Sequence, residues 1–161
     1  MTRTSSTATA AASSSATILG GLPSLVGYHL RMAQVMVFKD FDRELAELEI
    51  TPAIFGVLEI LNHNKGLTQT RLATAIGLDR SSLVPLLDKL QQRGLVAREA
   101  SSADRRTNHL HLTPAGRQLL TKAEKKVRQH EERILSPLTK SETQQLIKLL
   151  SKVAQAAPDA G

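Results

Sequence analysis

Apolar residues recur in steps of three and four along most of this chain and alternate strictly in one short segment. Between Leu22 and Leu48 the stripe runs Leu22, Val26, Leu30, Ala33, Val37, Phe41, Leu45 and Leu48, which is one face of a long helix. Leu25, Tyr28, Met32, Val35 and Met36 give that helix a second apolar surface. It is therefore expected to be covered both by its own domain and by another chain. Pro23 stands at its start, where a missing N–H costs least.

Thr51-Pro52 opens a second helix, with Thr51 as cap and Pro52 in the first turn. Thr68 caps a short third helix, which Gly77 closes. Asp79 or Arg80 begins a fourth, "RSSLVPLLDKLQQR", which Gly94 ends. "LVAREA" reads as a strand and "SSADRRTN" as a polar turn. In "HLHLT", Leu110 and Leu112 face one side while His109 and His111 face the other. Thr113-Pro114 caps a long helix running to about Leu135. Pro137 then interrupts the chain, and a terminal helix follows with Thr139 and Ser141 as cap candidates. Its apolar face is Leu146, Leu149, Leu150 and Val153.

The predicted fold is mainly α with a small β-hairpin wing. Helix, four-residue turn "GLDR", helix, then hairpin is the layout of a winged helix-turn-helix. With Leu83 taken as zero and about 100° added per residue, Leu86, Leu87 and Leu90 fall on the buried face. Pro85 falls in the middle of the opposite face, among Ser81, Ser82, Asp88, Lys89 and Gln92. A groove-entering helix uses its N-terminal residues to read base edges. That makes Arg80, Ser81, Ser82, Pro85 and Lys89 candidates for DNA contact, with Thr68 and Gln69 of the preceding helix. Arg105 and Arg106 stand at the expected hairpin tip beside Asp104, an acid able to hold a guanidinium in place. Arginine there suits the negative potential of a minor groove.

Charge adds to this picture. The chain of 161 residues has a formal net charge of +6 and a pI near 10.0. Residues 1–64 hold 4 Lys and Arg against 6 Asp and Glu, whereas residues 65–161 hold 17 against 9. A basic second part suggests a polyanion partner. Cys is absent and aromatics are 2%, so thiolate zinc sites and cysteine nucleophiles are excluded and aliphatic residues must build the core. His109 and His111 share a strand face without a third ligand nearby in sequence, and they read as solvated rather than metal-binding. No HExxH, phosphate-binding glycine loop or nucleophile elbow occurs. The expectation is a non-enzyme without cofactor or metal. No apolar run is long enough to span a membrane, and a cytoplasmic location is expected. "MTRTSSTATAAASSSAT" lacks the apolar run of a secretory signal and reads as a disordered tail.

The stretch "LTQTRLATAIGLDRSSLVPLLDKLQQRGLVAREASSADRRTNHLHLTPAGRQLL" resembles the MarR family of bacterial regulators, and the helical order is similar from about residue 22 to 156. The resemblance implies a homodimer with interlocked terminal helices, resting on a palindromic DNA operator. It further implies repression relieved by a small effector, in several such regulators an aromatic acid or its CoA thioester. It makes residues 79–93 the recognition helix, Arg106 the minor-groove arginine and Asp104 its positioning partner. Pro85 departs from the pattern: many relatives carry arginine or another polar residue there. Proline cannot make a bidentate guanine contact, and a thymine methyl becomes the natural partner.

On this reading residues 1–17 are a tail and 18–48 a dimerisation and ligand-pocket helix. Residues 49–116 form the DNA-binding domain, 117–157 the C-terminal dimerisation helices, and 158–161 a short tail. Residues 22–30 and 127–156 are the expected interface. A pocket between the first long helix, the second helix and the helix after the wing gives Tyr28, His29, Arg31, Met32, Phe38, Phe55 and Arg117 as ligand candidates. Two other readings stay open: a winged-helix module that binds an acidic protein, and a metal-responsive regulator.

Overall fold

A computed structural model describes residues 17–100 and 108–156. Two compact units divide the chain, one ending at Gln34 and the other starting at Val35. The expected helix over 22–48 is in fact three pieces. Leu22–Ser24 is a 3-10 turn, α1 spans Val26–Leu45, and Ala46–Leu48 is a second 3-10 turn. Leu25 is extended between the first two pieces, and Glu49 ends the last in the left-handed region with φ 52°. Apolar periodicity continues through both junctions because a 3-10 turn advances the chain at nearly the helical spacing.

The first unit is held locally. Ser24 Oγ donates to the Gly21 carbonyl at 2.7 Å, and the His29 ring bonds to the Pro23 carbonyl at 2.8 Å. Leu22, Leu25, Val26, Leu30 and Met32 are all exposed there.

The second unit is built around α2, Pro52–His63, which packs on α3, α5 and the strand β3. Ile54, Val57, Leu58 and Leu61 are buried along one line of α2, while Phe55 and Ile60 are half-buried on others. Thr51 Oγ1 accepts the Ile54 N–H, as a cap should. A two-residue strand β1, Leu67–Thr68, precedes α3, Gln69–Ile76, and α4 covers Arg80–Gln92. Strands β2, Val96–Ala100, and β3, Asn108–Leu112, make the expected hairpin. The sheet has three strands, however, in antiparallel order β1-β3-β2, with Leu67 opposite Leu110 and Thr68 opposite His109. Two residues are too few for a period to register in sequence. Leu110 and Leu112 enter the core as expected.

Helix α5, Pro114–Ile134, starts against the base of the hairpin. Thr113 Oγ1 donates to the Gly94 carbonyl at 2.7 Å and accepts the Gly116 N–H at 3.0 Å. A Cβ at Gly116 would collide with the Leu95 carbonyl oxygen and the Leu112 side chain, so this close approach requires glycine.

Helix α6 spans Lys140–Ala156. Its cap is Thr139 rather than Ser141: the Glu142 N–H bonds to Thr139 Oγ1, and Glu142 returns a carboxylate to the Thr139 N–H at 2.8 Å. This reciprocal pair is a capping box. No residue of α6 is buried, and Leu146, Ile147, Leu149, Leu150 and Val153 are all exposed. Among the described residues no helix is long and apolar enough to cross a membrane.

Candidate nucleic-acid interface

The α3–α4 turn is closed by backbone geometry. Gly77 adopts φ 67°, the Leu78 N–H bonds to the Ala73 carbonyl, and the Gly77 N–H bonds to that of Thr74. This double closure is a Schellman motif. Asp79 then caps α4, accepting the Ser82 N–H at 2.8 Å. Leu83, Leu87 and Leu90 are fully buried, so the rotation of α4 about its axis is set by the core. Ser81, Ser82, Pro85 and Lys89 are consequently exposed together on the opposite side, and Arg80 is exposed as the first residue of the helix.

The serines are not free hydroxyls. Ser81 and Ser82 both donate to the Asp79 carboxylate, Ser82 Oγ at 2.8 Å. These bonds, with that from Ser81 leading, hold the Asp79 carboxyl down at about 2 against its ordinary 3.8. With the hydroxyl hydrogens committed to Asp79, each serine oxygen still has acceptor capacity.

Thr68 and Gln69, at the start of α3, are half-buried. Thr68 pairs with His109 in the sheet, and its hydroxyl caps α3 by accepting the Arg71 N–H. Asp104, Arg105 and Arg106 lie outside the described residues. The strand residues that flank them, Ala100 and Asn108, are paired in the sheet.

The histidines of β3 differ from the solvated expectation. His109 Nδ1 donates to the Gly66 carbonyl at 2.7 Å, tying β1 to β3, and His111 Nε2 lies 3.3 Å from a Glu99 carboxylate oxygen. Cross-strand neighbours supply these partners, and a single-sequence reading does not see register.

The ligand candidates fall in both units. In the first, Tyr28 is half-buried with its ring edge-on to His29, Met32 is exposed, and Arg31 donates to Gln34. In the second, Phe38 is exposed. Phe55 packs edge-on to Phe41 at 6.1 Å, beside the core. Arg117 donates to the Leu112 carbonyl at 2.8 Å and borders an open hollow of about 400 Å³ shared with Leu61, Asn62, Lys65, His111 and Leu112.

The sequence reading missed one polar cluster. His130 of α5 is fully buried and lies 2.9 Å from Asp40 of α1. Arg133 reaches the same carboxylate at 2.7 Å and Glu44 at 2.9 Å. Hydrogen bonds from Arg133 first, then His130, hold Asp40 at about 2. His130 and Asp40 are 90 residues apart, and neither has a local pattern that points to the other. The only sequence hint was a histidine on the line of Leu120, Ala123 and Val127.

A helix-turn-helix whose second helix shows a polar row, followed by a paired hairpin, defines the winged-helix class of DNA-binding folds. Comparison with known proteins narrows that class. A MarR family model matches residues 48–107. A putative transcriptional regulatory protein for the hcr operon of Thauera aromatica is 36% identical over 135 residues, 83% of this chain and 81% of its own. The transcriptional repressor CouR, bound to a 23-mer DNA duplex, matches with a TM-score of 0.83 at 40% identity, over 87% of this chain and 99% of CouR. CouR bound to p-coumaroyl-CoA matches at 0.81 and 38%, over 87% and 99%. The PcaV regulator of Streptomyces coelicolor, in complex with its natural ligand, matches at 0.79 and 26%, over 85% and 96%. The chain belongs to the MarR family of transcriptional regulators.

Proposed function

We propose that this protein is a repressor that binds an inverted-repeat operator as a homodimer and leaves it when an aromatic acyl-CoA thioester binds. It acts in the cytoplasm and catalyses no reaction. The observation that carries this reading is the exposed row Arg80, Ser81, Ser82, Pro85 and Lys89 on a helix whose other face is locked into the core. In this reading the serine oxygens accept from base amino groups, Pro85 meets a thymine methyl, and Arg80 and Lys89 meet phosphates. Arg106, oriented by Asp104, enters the minor groove. The uncovered apolar residues of α6 and of the first unit support a dimer. The effector class is supported by the likeness to CouR, solved both on DNA and with p-coumaroyl-CoA.

The test is a gel shift on DNA flanking the protein's own gene. The expected result is selective binding that weakens steeply with salt, survives a strong chelator, and is reversed by p-coumaroyl-CoA but not by CoA alone. No selective binding by an intact dimer would favour the protein-interaction module. Loss of binding with the chelator would favour a metal-responsive regulator. Release by the free aromatic acid alone would keep the repressor and replace the thioester.

A further inference from the structure

Register and chemistry disagree at one position of β2. Arg98 stands opposite Leu110, and Val96 opposite Leu112. Side chains of paired residues share a face of the sheet, and Leu110, Leu112 and Val96 are buried. Arg98 therefore occupies a core-side position where the alternation of the strand calls for an apolar residue. Only 22% of its side chain is exposed, and its Nε is buried without a hydrogen-bond partner among the described residues. Its guanidinium meets the Asp88 carboxylate of α4 at 2.6 Å.

A half-buried ion pair is a poor way to gain stability, because desolvation offsets most of the attraction. It is directional, however, where an aliphatic contact is not. We propose that Arg98 and Asp88 are positioning residues that fix the angle between α4 and the β2–β3 hairpin, and thereby set the preference for operator over other DNA. This rests on the DNA-binding reading above. A dimer that docks α4 and the β2–β3 hairpin on one duplex needs those two elements in fixed relation. Displacements of about 0.5 Å or 10–20° are enough to degrade such a site.

Two substitutions test the pair, and charge makes the test sharp. Asp88→Ala removes a negative charge from a helix presented to phosphates, so simple electrostatics predicts tighter binding to every duplex. The positioning role predicts the reverse for the operator alone. Arg98→Met keeps the volume and removes the pair. Affinities for the operator and for a scrambled duplex are measured at one salt concentration, with melting temperatures alongside. The expected result is a fall of roughly tenfold or more in the operator-to-scrambled ratio for each variant. Scrambled-duplex affinity should be equal or higher for Asp88→Ala, and the double variant should lose no more than either single one. If Asp88→Ala does not fold, Asp88→Asn, which keeps size and an acceptor oxygen, is expected to show the same fall in smaller measure. An unchanged ratio, additive losses, or equal loss on both duplexes in step with the melting temperature would overturn the inference. A wild-type protein indifferent to the two duplexes would overturn both it and the DNA-binding reading.

Discussion

Pro85 lacks the N–H that would bond to the Ser81 carbonyl, yet α4 runs through it from Arg80 to Gln92. The site lies in the second helical turn and the side chain is exposed, so the orphaned carbonyl can turn to water. Nothing in the core depends on the ring. Pro85→Ala is expected to leave the unfolding free energy unchanged or to raise it by up to about 3 kcal/mol, while altering which base is preferred at the contacted position. Urea unfolding and a binding screen over operator variants check both halves. A loss of several kcal/mol, with base preference intact, would make the proline structural. The orientation of Pro85 was legible in the sequence, because Leu83, Leu87 and Leu90 fix the helical wheel. The bonds from Ser81 and Ser82 to Asp79 were not, because a rotamer decides whether "DRSS" points its hydroxyls at the cap or at solvent.

Helix ends are where sequence reading of this chain succeeded most. Thr51, Thr68 and Thr113, expected as caps, each stand one residue before a helix and accept the N–H of a cap; Asp79, expected only at the start of α4, proves to be its cap. Local chemistry of this kind needs no tertiary information. Elements defined by partners fared worse: β1 exists only because β3 lies beside it, and the junctions in the 22–48 stretch leave the apolar period intact. The Asp79 cap has a pH consequence. Its carboxyl is held at about 2, below its ordinary 3.8, so the stabilisation is fully present above pH ~4 and is lost as pH falls through about 2. Asp79→Ala should lower the urea midpoint at pH 7, and its gap to wild type should close as pH approaches 2. Asp40 shifts in the same direction, so wild-type stability falls in the same window and only the difference between the proteins isolates the cap. A gap that stayed constant with pH would mean the carboxylate is not what caps α4.

Taken whole, the molecule separates the surfaces that close a core from those that do not. Within the second unit, aliphatic residues of α2, α3, α4, β3 and α5 are buried together, as an almost aromatic-free composition required. The large aliphatic residues of α6 and of the described part of the first unit stay exposed. Full burial of an aliphatic side chain contributes about 1.5–3 kcal/mol, so these faces are a strong drive to associate. The two-sided apolar stripe showed this in the sequence, but the burial of His130 against Asp40 did not show, since it depends on α5 meeting residues 40–44 from far along the chain. In the proposed function, two copies place two α4 helices on a symmetric DNA site and release it when an aromatic acyl-CoA binds. Footprinting on the DNA beside the protein's own gene tests it most directly. The predicted result is one protected inverted repeat, its half-sites roughly 10 bp apart centre to centre, and loss of protection when p-coumaroyl-CoA is added. Protection without symmetry, or protection that no aromatic acid or thioester disturbs, would contradict it.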